Sequence, residues 1–377
     1  MGLRLLQRRL FSSAAAAGKP RVAVLYQALE PPVINGVRKP KKPGGYRDSG
    51  ADIAFVLRSQ QRAQVLTPST PDPSNDSSWV FPDHEEGILN AVQAGATHLW
   101  ANTILFAEHP LQISRALDRY QNDLRVVGQP PQLVEAYDDK NYVNSLLRRS
   151  RDFTIPTSCI IGEGQDLEAL LKKKNLAVPI VAKPIRGRGS HGVKLCHSNT
   201  DLRAHVEALW KESPQVMLEQ YLSGEEATVT VMPPSAEKPG YWALPIVTRF
   251  NHIDGVAPYN GVRAVTSNSR AISDKEASAD PAYARVAREC EGVARLLKTT
   301  APIRIDVRRF EPDSGFALFD INMKPNMTGP GRPGREDQAS LSALAAAAAG
   351  WGYSQLLEKI LRSTRTLHEL RSTKLPV

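Results

Sequence analysis

Three segments of this 377-residue chain combine residue types that could do chemistry on a phosphorylated ligand. The first is residues 179–193, PIVAKPIRGRGSHGV. A short apolar run delivers Lys183, and Arg186, Gly187, Gly189, Ser190 and Gly192 follow. Glycine lets a backbone approach a ligand closely, and successive N–H groups can cradle phosphate oxygens beside the lysine cation. The spacing is not that of a P-loop, since no Gly-Lys-Ser/Thr opens a helix, and a plain hairpin would use the same glycines. The second segment, residues 217–226, carries Glu219, Gln220, Leu222 and Glu226 around a Ser-Gly turn. Backbone groups at such a strand end can read an adenine, and a carboxylate can hold a ribose diol. An ordinary surface turn has this composition too. The third places Arg304 and Asp306 in one apolar run and Asp320 and Asn322 in the next. Acids that alternate with apolar neighbours share one face of a strand, and buried acids need a counter-charge. Asp306, Asp320 and Asn322 offer the hard oxygens that Mg²⁺ prefers beside phosphates. Pairing with Arg304 or Arg308 would satisfy the same acids without a metal.

Something must hold these segments in place. Residues 21–27 and 63–67 read as buried strands, with a helix over 51–58 and a Pro/Ser/Asp-rich loop over 68–78. Helices over 85–94 and 110–120 alternate with strands over 97–101 and 124–127. That order predicts an open, mostly parallel α/β sheet, ending near the Gly128–Pro131 turn. Beyond it come a helix over 138–149, a strand over 179–183, a strand over 193–196 and a helix from Asn199 or Thr200 to about Lys211. The last block predicts strands over 215–220, 227–232, 243–250, 303–309 and 316–322. Its helices fall over 281–297, 337–349 and 353–362. No internal repeat is visible.

Composition bounds the function. Hydrophobic residues make up 41% and charged residues 23%, an ordinary globular balance, and no apolar run approaches the ~20 residues of a membrane span. The net charge of +9 is local: Arg4, Arg8, Arg9 and Lys19, with Arg38, Lys39, Lys41, Lys42 and Arg47, account for all of it. A nucleic-acid protein spreads its basic face over the folded domain, so nucleic acid is not an expected partner. The basic stretch 36–47 is either a solvated loop or a lid that meets an anionic substrate. Cys159, Cys196 and Cys290 form no metal spacing and fit reduced, buried thiols. The acid-free leader, residues 1–18, mixes arginines with leucines, and Arg9-Leu10-Phe11-Ser12 looks like a matrix-protease cleavage pattern. It predicts mitochondrial matrix import, with a cytoplasmic location if the leader does not function.

Together the ordered segments resemble the ATP-grasp superfamily, nearest its D-alanine–D-alanine ligase branch. Asp139-Lys140 comes first, then Lys183 with its glycine loop, then residues 219–226. Arg304-Ile-Asp306 and Asp320-Ile-Asn322-Met-Lys-Pro-Asn-Met-Thr328 follow, and residues 349–357 look like the branch's closing helix. The resemblance implies an α/β fold, α+β in its C-terminal part. A leader (1–18) and a small parallel-sheet domain (19–129) would precede two ATP-grasp subdomains (130–222 and 223–377) clasping the nucleotide. It further implies ATP and two Mg²⁺, with Mn²⁺ as a substitute. Lys140 and Lys183 would hold the α- and β-phosphates within the loop of Arg186, Gly187, Gly189, Ser190 and Gly192. Glu219, Gln220 and Leu222 would sit by adenine and Glu226 by ribose. Asp306, Asp320 and Asn322 would bind metal, and Arg304 would steady the oxyanion of a tetrahedral intermediate. The activity implied is ligation of a small-molecule carboxylate to an amine through an acyl phosphate, in a chain that could form a homodimer.

The chain departs from the branch in places. Asp320 stands where glutamate is usual, and Lys324-Pro325-Asn326 replaces a serine-proline-glycine turn. Gly331-Arg332 replaces a serine-leucine pair, leaving Arg332, Arg335 or Lys324 as candidates to hold the second substrate. No lysine occurs near Tyr259-Asn260, so Arg263 is the candidate for the γ-phosphate. No acid in the first domain matches the one that receives the first substrate's ammonium. These departures argue for substrates other than D-alanine. Two other readings stay open: a small-molecule kinase on the same fold, and a non-catalytic nucleotide-binding protein.

Overall fold

The computed structural model describes residues 19–34, 36–187, 189–252, 255 and 264–376. The first sheet has the order Arg365–Thr366, Arg125–Val127, His98–Asn102, Arg21–Tyr26, Gln64–Leu66, and Val80–Pro82 also pairs with Arg21–Tyr26. All its pairings are parallel except that of Arg365–Thr366, the expected open α/β arrangement. Both faces are covered, which is why Val22 to Leu25 are all fully buried. The chain end returns here: Arg365–Thr366 completes the sheet edge, and Leu367 and Leu370 of the helix Leu367–Ser372 enter its core.

The central sheet runs Lys194–Cys196, Ile180–Pro184, Gln215–Gln220, Ser158–Gly162, and every pair is antiparallel. One face packs Ile180, Ala182, Val216 and Leu218 under the helices Leu167–Lys174 and Asn199–Trp210. Strand alternation then sends Lys183, Met217 and Glu219 to the opposite face. The C-terminal sheet runs Ser269–Ala271, Val247–Arg249, Glu226–Met232, Ile303–Arg309, Phe316–Asn322, again antiparallel. Ala227, Val229, Val231, Ile303, Ile305 and Val307 pack against Val286, Cys290 and Val293 of the helix Pro281–Leu296. That core is continuous with the core of the first sheet, whereas the central sheet has its own.

Several boundaries differ from expectation. The helix expected over 110–120 divides at Ser114 into Pro110–Ile113 and a 3₁₀ stretch Arg115–Tyr120. The strand expected over 243–250 shrinks to Trp242–Ala243 and Val247–Arg249, with Pro245 in the gap, because proline cannot donate to a ladder. The helix expected from 337 begins at Leu341, where the Ser340 side chain caps it by accepting from Ala343 N. Ser198, not Asn199 or Thr200, caps the helix Asn199–Trp210 by accepting from Asp201 N. The strands Ser158–Gly162 and Val80–Pro82 and the helix Leu167–Lys174 had no counterpart in the sequence reading. Among the described residues no helix is long and apolar enough to cross a membrane.

Candidate active site

The polar faces of the central and C-terminal sheets meet across a cleft. On the C-terminal side, register aligns three rows across three strands: Glu226 with Arg308, Thr228 with Asp306 and Asp320, and Thr230 with Arg304 and Asn322. The alternation that buries the valines of these strands therefore exposes one contiguous polar floor.

The charged residues of that floor are engaged in ion pairs. Arg304 grips Asp306 through two parallel bonds, Nε to Oδ1 at 2.9 Å and Nη2 to Oδ2 at 3.0 Å. Asn322 Nδ2 donates to the same Oδ2 at 3.1 Å. Lys140, at the start of the helix Lys140–Ser150, reaches Asp320 Oδ1 at 3.1 Å. Lys183 donates to Glu219 Oε1 at 2.6 Å and to the Phe319 carbonyl at 3.2 Å, so it ties the central sheet to the C-terminal one. Glu219 Oε2 is buried with no hydrogen-bond partner. A bare buried carboxylate oxygen is costly, and a ligand donor would relieve it.

Electrostatics separates the two carboxylates. Burial pushes the Glu219 carboxyl above its ordinary value, and Lys183 only partly offsets it. Burial acts the same way on Asp320, but there Lys140 and then Lys183 outweigh it and hold the carboxyl below its ordinary value. Burial would lower the Lys140 ammonium, but Asp320 outweighs that too and the net shift is upward.

The glycine loop joins the cleft at its edge. Lys140 N donates to Ile185 O at 3.0 Å, and Gly189, Ser190 and Gly192 all take positive φ. Arg186 anchors the loop rather than pointing freely: Nη1 donates to Glu135 O at 2.9 Å and lies 3.6 Å from Asp138. Gln220 bonds to the backbone of Thr157, and Leu222 is buried.

Other expected contacts fall differently. Arg332 is 2% exposed, with Nε 2.9 Å from Asp52 Oδ1 and Nη1 2.6 Å from Asp76 Oδ1. Arg335 Nε lies 2.7 Å from Asp52 Oδ2. Both arginines thus clamp the segment after Asn322 onto the helix Arg47–Ser59 of the first domain. Lys324 stands 3.7 Å over the Tyr46 ring. Arg263 lies outside the described residues, as do Tyr259, Asn260, Arg188 and the leader 1–18. The sequence reading missed the surroundings of Glu226: Arg249 Nη1 at 3.1 Å, His252 Nε2 at 2.8 Å and Arg308 Nη1 at 3.7 Å. Arg249 and Arg308 are its cross-strand neighbours, so the signal was present in strand register but needed the pairing to be seen. The basic stretch is folded down in part. It forms the hairpin Val33–Ile34 with Val37–Arg38, and Lys39 bonds to Asp138 beside Lys140.

The donor set fits a hard cation. Two carboxylates sit opposite one another with a side-chain amide beside them, and three protein cations neutralise the acids of the cleft. Among the described residues there is no cluster of three or more His, Cys, Asp or Glu placed to hold a metal. Any metal here would rely on the Asn322 amide oxygen and on ligand oxygens, as Mg²⁺ sites beside phosphates do.

The chain is similar to known proteins over much of its length. Residues 162–362, just over half the chain, match the family model described as D-ala D-ala ligase C-terminus. A D-alanine--D-alanine ligase of Gloeobacter violaceus is 30% identical over 186 residues, covering 49% of this chain and 55% of that protein. D-alanine--D-alanine ligase A of Bacillus cereus is 27% identical over 226 residues, covering 60% and 67%. The chain thus spans little more than half to two thirds of these curated relatives. The solved D-alanine--D-alanine ligase of Bacillus anthracis complexed with ATP superposes with a TM-score of 0.63 at 19% identity, covering 93% of this chain and 98% of that one. The Coxiella burnetii D-alanine-D-alanine ligase gives 0.60 at 12% identity, covering 94% and 96%. The fold is that of the ATP-grasp ligases, and the chain belongs to the D-ala D-ala ligase C-terminal family.

Proposed function

We propose that this protein is an ATP-dependent ligase that joins a small-molecule carboxylate to an amine through an acyl phosphate. The observation that carries this reading is the cleft in which Lys140–Asp320, Lys183–Glu219 and Arg304–Asp306 lie together in a family whose curated relatives are named as D-alanine--D-alanine ligases. Lys140 and Lys183 would hold the phosphates beside the glycine loop. Glu219 and Leu222 would meet adenine, and the buried bare oxygen of Glu219 is suited to an amino donor. Asp306, Asp320 and Asn322 would hold two Mg²⁺ or Mn²⁺, which when bound draw charge from the transferring phosphoryl group.

The balance of the reaction is simple. An oxygen of the donor carboxylate takes the terminal phosphoryl group of ATP, and ADP leaves. The amine nitrogen then attacks the acyl carbon, the C–O bond to phosphate breaks, and the nitrogen loses a proton. Arg304 steadies the oxyanion between those two events, which requires it to loosen its hold on Asp306.

Substrates other than two D-alanines are supported by the segment after Asn322. There Arg332 is spent on Asp52 and Asp76, so the segment that would meet the second substrate is built differently from a serine-leucine pair. The acid-free leader supports matrix import, which a fluorescent fusion of residues 1–30 would test. A homodimer is the default assembly for such a chain.

The functional test is a screen of carboxylates and amines on protein starting near Ser12, reading ADP and phosphate. Release that needs both a carboxylate and an amine, with amide in the product, supports the ligase. A stable phosphoester formed without amine would replace it with a kinase.

A further inference from the structure

A second cleft, of about 520 Å³, lies away from the active site, between the helix Pro281–Leu296 and the connection that follows the helix Lys140–Ser150. Arg285, Arg288 and Arg295 line one wall. Their spacing places them on one face of that helix, opposite the core residues Val286, Cys290 and Val293. All three are exposed, and none forms a hydrogen bond or ion pair among the described residues. Two acids, Asp152 and Glu289, share the lining and keep their charge, and the acids nearby bond to other groups. Glu289 accepts from Thr154 N at 2.8 Å and from Thr154 Oγ1 at 3.1 Å. Glu291 Oε1 accepts from Ala243 N at 2.9 Å. Asp152 accepts from Ser150 Oγ at 2.6 Å, and Asp280 pairs with Arg309.

The floor of this cleft is built by close approach. A Cβ at Gly292 would lie 3.0 Å from Phe153 Cε1, so glycine at this turn of the helix lets the ring seat against the backbone. Leu296 extends the apolar floor. The result is an apolar base under a row of three guanidinium groups, each able to donate in bidentate fashion to an oxyanion. Three guanidinium groups outnumber the two lining acids, Asp152 and Glu289, so the cleft keeps a net positive charge that attracts anions, and its concave shape suits a small molecule better than a flat partner.

The geometry points to a second ligand site here, for a small polyanion bearing at least two phosphate or carboxylate groups, held by Arg285, Arg288 and Arg295 over Phe153. It is independent of the catalytic reading, since none of these residues belongs to the ATP cleft. The helix that carries it packs beneath the strand that holds Arg304 and Asp306, so occupancy would bear on the site from behind.

The experiment is calorimetric titration of the full chain in metal-free buffer with inorganic pyrophosphate, and in a second arm with citrate. Three proteins are compared: wild type, R285S/R288S/R295S, and K140A/K183A, which disables the main cleft. Binding that K140A/K183A retains and the triple arginine variant weakens at least tenfold supports the site, and the arm that binds more tightly names phosphate or carboxylate as the source. The arginines are exposed, so an unchanged thermal midpoint checks the fold, and the single variant R288S gives a milder second reading. Loss of all binding in K140A/K183A, equal affinity in the arginine variants, or capture only of an acidic peptide or RNA would overturn the proposal.

Discussion

Arg304 has two claims on it. It holds both oxygens of Asp306, and in the proposed reaction it must also meet an oxyanion. A cation on Asp306 and the Arg304 guanidinium therefore compete for the same carboxylate. Removing the arginine should separate the two roles. Arg304→Ala is expected to lower turnover about 10²–10³-fold, the usual cost of losing one such donor, while Mn²⁺ binding read by electron paramagnetic resonance tightens. Weaker Mn²⁺ binding would mean that Arg304 builds the metal site instead of competing with it. His98 supplies a pH-dependent term far from the cleft. Burial, with Arg125 adding to it, lowers its pKa from 6.5 to about 4. The folded state favours the neutral ring, so its contribution to stability is complete above pH 6.5 and is lost as pH falls towards 4. His98→Gln should flatten the fall in urea midpoint across that window. An unchanged slope would assign acid sensitivity to other groups.

At the scale of elements, the segment after Asn322 is what joins the first domain to the site. A Cβ at Gly331 would lie 2.4 Å from the Asp52 carboxyl carbon, so only glycine lets this backbone reach the helix Arg47–Ser59. Gly331→Ala should cost about 1–3 kcal/mol through overpacking, measured as a lower urea midpoint. Removing the charge is expected to cost more. Asp52→Asn leaves the buried Arg332 with Asp76 as its remaining carboxylate, and the loss should approach the about 3–5 kcal/mol seen where buried pairs are broken. Full retention of stability in Asp52→Asn would show that Asp76 alone satisfies the arginine. Strands were the most legible elements in the sequence, because alternation fixes which face a residue takes: Lys183, Asp306, Asp320 and Asn322 all sit on the polar faces that their apolar neighbours imply. Arg332 was not legible as a clamp. Its partners Asp52 and Asp76 are about 280 and 256 residues earlier in the chain, and no local pattern links them. The helix Leu167–Lys174 was missed because its apolar stripe is short and its last turn is all lysine.

At the scale of the molecule, two apolar clusters each run through the first and C-terminal sheets while the central sheet keeps its own. The cleft is therefore a seam between two separately packed bodies, bridged by Lys183 to Phe319 O and by Lys140 N to Ile185 O. That arrangement suits a ligand that replaces bridging contacts when it binds, and the residues proposed to hold nucleotide come from both bodies. The first domain was legible as a parallel sheet from its β-α alternation, but the return of Arg365–Thr366 to its edge was not, since a two-residue antiparallel strand carries almost no periodicity. The central claim is that an acyl phosphate forms in this cleft. The most direct measurement uses a carboxylate substrate labelled with ¹⁸O in both oxygens, together with ATP and the amine, and reads the released phosphate by mass spectrometry. One ¹⁸O in each phosphate is the expected result, because the carboxylate oxygen that takes the phosphoryl group leaves with it. Amide formed with unlabelled phosphate, the lost ¹⁸O appearing in another product, or a stable phosphoester formed in place of amide, would contradict the account.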